Sequence, residues 1–292
     1  MQPEPTPEAP LTGPDFLCVG AMKAGTTWLY DNLGTHRGIW LPPLKELRYF
    51  NTIHIPGPHQ ATDIAHRAEM IAQRRARLVG DGQKLGPARQ RLVDCLDAMD
   101  GPQSDAWYCR IFGFRGPGQV AGDICPQYAV LPEAGIRHAL ALNPRLKVIA
   151  LLRDPVSRAL SHMAMHCRPE PTAEGILRIM EGPRWPIYAA YSDYATWLAR
   201  WRDTLPEGAL HVEVMPDIIG EPEAVLNRVC ALLGLDPPPA GFPKARQRSM
   251  AGRGDKAPLA PVLTRLRERL APAQAALDSA FPALAARLAP RD

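Results

Sequence analysis

Apolar and polar positions along this chain follow two rhythms. Asp15-Phe-Leu-Cys-Val-Gly20 holds a short apolar run closed by glycine, and Leu146-Lys-Val-Ile-Ala-Leu-Leu152 is nearly all apolar. Runs of this kind mark buried strands, above all parallel strands covered on both faces. Gln119 to Ile124 and Leu210 to Met215 read as further strands. Helical spacing alternates with them. Trp28 to Leu33 predicts a helix stopped by Gly34. Ala61 to Asp100 predicts one or two surface helices, broken at Gly80-Asp-Gly82 and Gly86-Pro87. Asp154 is placed to cap a helix with Pro155 at its first position. Tyr188 to Trp201 predicts one amphipathic helix. Val225, Leu226, Val229, Leu232 and Leu233 form a helical stripe within Glu221 to Leu233, ended by Gly234. Two more helices are expected after Pro258. Strands alternating with helices predict an α/β fold, a central, mainly parallel sheet flanked by helices. No repeat and no internal boundary is visible. Residues 15–292 are expected to form a single domain behind a disordered, Pro-rich tail at 1–14.

Composition narrows this picture. The 292 residues are 46% hydrophobic and 22% charged, enough to bury a sizeable core. Proline occurs 32 times, about twice the usual share, so stiffened loops are expected. The net charge of +4 is too small to suggest a nucleic-acid partner, yet it leaves room for a local basic pocket. No apolar run reaches the ~18 residues of a transmembrane helix. The N-terminus lacks the basic and apolar regions of a signal peptide, and a cytoplasmic location is expected. The six cysteines include no CxxC pair. They read as free thiols, with Cys18 and Cys230 as small core residues, and no zinc site is expected.

Two places carry chemistry. Gly20-Ala-Met-Lys-Ala-Gly25-Thr-Thr27 follows a strand and opens a helix. Successive backbone N–H groups in such a loop converge on one spot, and the helix N-terminus adds positive potential. The Gly20-x4-Gly25 spacing matches a Walker A loop, but Thr26 stands where that loop has its lysine, and Lys23 lies inside the loop. A phosphate cradle is the functional reading, and a tight turn with a capping threonine the plain one. Arg153-Asp-Pro-Val-Ser-Arg158-Ala-Leu-Ser161 follows the best strand. Arg153 would sit at the strand's carboxyl edge, where open α/β sheets bind ligands. Arg158 and Ser161 share a helix face and suit a second anion. The plain alternative is a capped surface helix with an ordinary salt bridge. Two anion sites on one sheet edge point to a ligand with two separated phosphates.

With these residues in view, the chain resembles the PAPS-dependent sulfotransferases (PAPS is 3′-phosphoadenosine-5′-phosphosulfate). Lys23-Ala24-Gly25-Thr26-Thr27-Trp28 is similar to their 5′-phosphosulfate loop, and Arg153-x-Pro155-x-x-Arg158-x-x-Ser161 to their 3′-phosphate motif. Pro43-Leu-Lys45-Glu46-Leu-Arg48-Tyr49-Phe50 resembles the Lys-Glu-x-x-x-Phe segment of the carbohydrate-type (heparan-sulfate-like) and bacterial branch. Weaker matches are Asp123-x-x-Pro126-x-Tyr128, Tyr194-x3-Leu198-x2-Trp201 and the helix ending at Gly234. The likeness runs from about residue 15 to 236.

The resemblance implies a P-loop-NTPase-like sulfotransferase fold and a sulfuryl transfer from PAPS to an acceptor hydroxyl or amine. It implies that Ala24, Gly25, Thr26 and Thr27 bind the 5′-phosphate and that Lys23 steadies the leaving phosphate. Trp28 would stack on adenine or serve as a core tryptophan. Arg153 and Ser161 would hold the 3′-phosphate, with Arg158 in a structural role. Glu46 would be the general base, against the alternative of a surface pair with Lys45 or Arg48. No metal is expected. The acceptor would be a small molecule, carbohydrate or lipid. His54 would assist the acceptor or be a loop histidine without a role, and His36 would pack at the end of the first helix.

Departures matter too. Asp123-Ile-Cys-Pro126 lacks the lysine and hydroxyl that carbohydrate-type members often carry there. Arg246-Gln-Arg248-Ser-Met-Ala-Gly252-Arg253-Gly-Asp-Lys256 only loosely echoes the family's late basic loop. From it, Arg253 or Lys256 would close on the nucleotide, unless the segment is a solvated basic loop. The rival readings are a P-loop nucleotide-dependent kinase and a non-catalytic nucleotide-binding module.

Overall fold

Each apolar run singled out above lies in one sheet. The computed structural model describes residues 12–55, 57, 60–80, 84–167, 171–247 and 260–289. The strands are β1 (Phe16–Gly20), β2 (Ile39–Trp40), β3 (Val120–Ile124), β4 (Lys147–Leu152) and β5 (Leu210–Val214). All pairings are parallel, in the order β2-β3-β1-β4-β5. β1 is buried throughout, and so is β4 from Val148 to Leu152. Each large aliphatic side chain among them contributes about 1.5–3 kcal/mol on leaving water. Burial on both faces requires helices on both.

Those helices fall between the strands in chain order. α1 (Thr26–Leu33) follows β1, and α2 (Tyr49–His54), α3 (Gln60–Val79), α4 (Pro87–Ala98) and α5 (Asp105–Phe112) separate β2 from β3. A 3-10 turn at Pro126–Val130 and α6 (Glu133–Leu142) lead to β4. α7 (Pro155–His166), α8 (Ala173–Glu181), α9 (Trp185–Ser192) and α10 (Tyr194–Thr204) connect β4 to β5. α11 (Met215–Gly220), α12 (Pro222–Leu232), α13 (Ala260–Ala280) and α14 (Pro282–Leu288) complete the order. The main core surrounds the sheet, and a second cluster joins α7, α8, α9 and α13 through residues such as Met163, Met180, Tyr188 and Leu266.

Several elements differ from the sequence expectations. The single helix expected over Tyr188 to Trp201 is two, because Asp193 ends α9 and caps α10, accepting from Thr196 N at 3.3 Å. A short carboxylate at that spot competes with the helical ladder. The pattern did not single out α5, α6 or α8, although Ser104 caps α5 and Thr172 caps α8. Residues 1–11 of the expected tail lie outside the described residues. Gly13 and Pro14 are buried, and Gly13 N donates to Leu142 O at 3.1 Å. All six cysteines are unpaired. No described helix is long and apolar enough to cross a membrane.

Edge strand β5 holds a buried charge. Glu213 is fully buried, yet it accepts from Arg228 at 2.7 and 3.0 Å, His211 at 2.9 Å and Arg287 at 3.2 Å. Arg287 also donates to Asp217 at 2.7 Å, so α14 is bolted to β5 and α11. Burial alone would push the Glu213 carboxyl up, but hydrogen bonds from His211 and Arg228 outweigh it and bring it down to about 2.

The topology also sets where a ligand can enter. Gly20 of β1 pairs with Ala150 of β4, so the loop after β1 and the residues after β4 emerge side by side. From β1 the chain builds β2 and β3 on one side, then crosses to β4 and β5 on the other. The crevice at such a reversal is where open α/β sheets bind ligands.

Candidate active site

The loop between β1 and α1, read above as a phosphate cradle and called the phosphate loop below, is shaped by its glycine. Gly25 caps α1 with φ of 95°, a conformation that side chains resist. No side chain caps α1, and its first turn has no acidic residue. The potential of the N-terminal amides is thus not offset by a capping side chain or a first-turn acid among the described residues. Ala24 is fully buried, and Thr26 is 6% exposed.

Three cations gather here. Lys23 is half-buried, with Nζ 4.0 Å from Met165 Sδ. Burial lowers its pKa, as do the charges of Arg153 and Lys45, while Glu46 acts in the opposite sense. Arg153 Nη1 donates to Lys23 O at 3.4 Å, and Tyr194 fixes the arginine's own carbonyl with a hydroxyl hydrogen bond of 2.7 Å. The two motifs therefore touch, as the strand register requires. The third cation is Lys45, to which the sequence assigns a place in the Lys-Glu-x-x-x-Phe segment and, as an alternative, a pairing with Glu46, but no contact with the loop. Its Nζ donates to Thr27 Oγ1 at 2.9 Å and Thr26 Oγ1 at 3.4 Å. An ammonium thus stands over the loop after all, supplied from beyond β2 and not from the loop itself. The contact spans 18 residues, beyond the reach of any local spacing rule.

Glu46 lies between Lys45, at 3.4 Å, and Arg48, at 3.7 Å, with its side chain 25% exposed. Glu46 is therefore ion-paired, and its charge also acts on Lys23 of the loop. Lys23, Glu46 and Arg48 have φ of 68°, 64° and 55°. Among the described residues they are the non-glycine residues in the left-handed region. Each such residue costs on the order of 1–3 kcal/mol and persists where the surroundings impose it.

Other expected residues separate by role. Arg158 is fully buried and donates to Ser192 Oγ at 2.8 Å and Tyr188 O at 2.7 Å, with His162 Nδ1 at 3.2 Å. It braces α7 against α9, and the anion grip first read from its shared face with Ser161 gives way to that structural role. Ser161 is partly exposed. Asp154 caps α7, accepting from Ser157 N at 2.7 Å, with Pro155 at the first position. Trp28 is 5% exposed in the main core, and its Nε1 donates to Ala245 O at 2.8 Å. Asn32 also reaches Lys244 O, at 3.4 Å. The start of the late basic segment is thereby fastened to α1. Arg253 and Lys256 lie outside the described residues.

His36 holds the turn after α1 through Gly38 N at 2.9 Å and Asp236 O at 2.9 Å. His54 ends α2 and joins a chain through His138 (3.0 Å) to Asp105 (2.7 Å). A cleft of about 450 Å³ opens beside α2 and α3, lined by Thr52, Arg67, Ile71, Met99 and Gln103. It is separate from the phosphate loop. The described residues contain no group of three or more side chains suited to a metal ion.

A sequence model described as "Sulfotransferase family" matches residues 14–239. Among solved structures, a sulfotransferase from Alicyclobacillus acidocaldarius is 23% identical, with TM-score 0.58, over 94% of this chain and 96% of that one. The sulfotransferase domain of the Synechococcus PCC 7002 olefin synthase is 16% identical, with TM-score 0.50, over 91% and 97%. At these identities the structural likeness is one of fold. The matched region contains the phosphate loop, the Lys45–Glu46 turn and the Arg153 strand end.

Proposed function

The chain belongs to the sulfotransferase family, and from that premise we propose that it moves a sulfuryl group from PAPS to an acceptor, releasing 3′-phosphoadenosine-5′-phosphate. The acceptor is a hydroxyl or amine on a small molecule, carbohydrate or lipid. The observation that carries this reading is the meeting of Lys23, Lys45 and Arg153 at the uncapped N-terminus of α1. That donor set suits a polyanion with phosphates at two points.

PAPS supplies an activated sulfuryl group on its 5′-phosphate. The loop amides, with the Thr26 and Thr27 hydroxyls, bind that phosphate. Lys23 and Lys45 stabilise the negative charge that builds on it as its bond to sulfur breaks. Arg153 and Ser161 hold the 3′-phosphate, which fixes the donor's orientation. Glu46 accepts the acceptor's proton as the new bond to sulfur forms. By analogy with phosphoryl transfer, the reaction is loose and in line, and positioning and fixed charge supply most of the rate.

Calorimetry with 3′-phosphoadenosine-5′-phosphate, beside ATP with magnesium, tests the reading. The bisphosphate is expected to bind and ATP to fail. Arg153→Ala is expected to weaken binding by about 10- to 150-fold, the worth of a charge-assisted hydrogen bond. Preference for ATP would favour the kinase reading. Binding of the bisphosphate without any transfer to water or alcohols would favour a non-catalytic module.

A further inference from the structure

The turn that carries Glu46 is held from behind. Glu46 and Arg48 both have left-handed backbone, and Leu47 between them is buried to 1% exposure. Leu47 O accepts from Gln103 Nε2 at 3.4 Å, and a backbone hydrogen bond joins Leu47 to Asp123. Two residues on, Tyr49 N donates to the Tyr128 hydroxyl at 3.0 Å. That hydroxyl donates to Asp123 Oδ2 at 3.0 Å, and so does the Tyr108 hydroxyl, also at 3.0 Å. One carboxylate therefore gathers α5, the 3-10 turn and the backbone on both sides of Arg48.

Asp123 is well placed for this. It lies on β3 and is 1% exposed, and its backbone is paired with Leu17 of β1. The sheet that positions the phosphate loop thus also positions Asp123. A buried carboxylate whose contacts are two phenols and a backbone group is expensive to keep. Burial pushes its carboxyl up to about 7, against the opposing hydrogen bonds of Tyr128 and Tyr108. A hydrophobic residue would fill the same space at lower cost, so the acid is explained by what it holds.

Resting on the reading of Glu46 as the base, we propose that Asp123 is its positioning residue. Through Tyr128 and the Leu47–Tyr49 backbone, it fixes the left-handed turn that presents Glu46 to the phosphate loop. Asp123 touches neither donor nor acceptor in this scheme and acts through Glu46 alone.

A double-mutant cycle on the full chain tests it, with single-turnover breakdown of PAPS to the bisphosphate and sulfate as the readout. Water is the acceptor: its oxygen bonds to sulfur, the bridging S–O bond breaks, and its proton passes to Glu46. Asp123→Asn is expected to slow this about 10- to 100-fold while the bisphosphate affinity stays within twofold. The Leu47 and Tyr49 amides are expected to exchange faster with deuterium. In a Glu46→Gln background the same substitution is expected to add less than about threefold, because its route of action is already gone. A full multiplicative loss in that background, or wild-type turnover in Asp123→Asn, overturns the proposal. Should Asp123→Asn fail to fold, Tyr128→Phe removes the link to Tyr49 and carries the same expectations. If Glu46→Gln alone keeps full turnover, the base assignment fails and the positioning role with it. Bisphosphate binding remains the separate test of the sulfotransferase reading.

Discussion

Replacing Lys45 with methionine separates two accounts of that residue. In one, Lys45 is only an ion-pair partner of Glu46, 3.4 Å away and 20% exposed. Partly exposed pairs contribute about 0–1 kcal/mol, so Lys45→Met would change little. In the other, the ammonium over Thr27 Oγ1 at 2.9 Å is part of the anion site. A charge-assisted hydrogen bond is then lost, worth about 1.5–3 kcal/mol. At about 1.4 kcal/mol per tenfold, the dissociation constant of the bisphosphate should rise roughly 10- to 150-fold. Methionine keeps the length and apolar stem of lysine, so the loss isolates the charge. Calorimetry at two salt concentrations is the assay. The ratio of mutant to wild-type dissociation constants should shrink as salt rises and the screening length falls below about 8 Å. Urea unfolding should show less than about 1 kcal/mol of destabilisation. A bisphosphate affinity within threefold of wild type at low salt refutes the reasoning and returns Lys45 to the surface.

Further expectations follow from the same geometry. Glu46→Gln should lower turnover by about 100-fold or more, as loss of a general base does, while calorimetry shows bisphosphate binding within twofold of wild type. Glu213 has its carboxyl held down to about 2 from an ordinary value of 4.5. Its contribution is therefore present above pH 4.5 and is lost as pH falls through about 2, a swing of roughly 3 kcal/mol. Urea midpoints for the wild type should drop over that range. Glu213→Gln should be destabilised by roughly 3 kcal/mol at pH 7, because a buried amide replaces the carboxylate that Arg228, Arg287 and His211 bond from the protein's margin, and should lack that part of the acid dependence. An unchanged midpoint at pH 7 would remove Glu213 as the anchor of α14.

Local structure was legible in the sequence, and contacts assembled across the fold were not. The phosphate loop is a contiguous strand, glycine turn and helix start, and β4 followed by Arg153 is likewise one short string. Both could be read because each rests on neighbouring residues. Lys45 meets Thr27 only because the chain reverses through β2, and no periodicity encodes that return. Asp123 was visible as part of a weak motif. Its hydrogen bonds depend on Tyr108 and Tyr128, which arrive from two other elements. Glu213 sits in a run correctly read as a strand, but Arg287, which helps neutralise it, lies 74 residues further on. The division of Tyr188 to Trp201 at Asp193 had a local signal, a capping carboxylate, that the continuing apolar spacing masked.

The placement of the left-handed residues bears on how this site can change. At Gly208 and Gly234, with φ of 72° and 70°, the fold assigns the same backbone conformation to the residue best suited to it. At 23, 46 and 48 it assigns it to two cations and an acid. A sequence-design procedure asked only to make this backbone comfortable would write glycine in all three places. It would thereby take Lys23 out of the loop after β1, and Glu46 and Arg48 out of the turn beside it, while leaving the apolar core untouched. Under the roles proposed for Lys23 and Glu46, robustness and activity pull in opposite directions there. A thermostabilised derivative should therefore hold positions 23, 46 and 48 constant and seek its gains on helix surfaces and in loops far from the sheet edge.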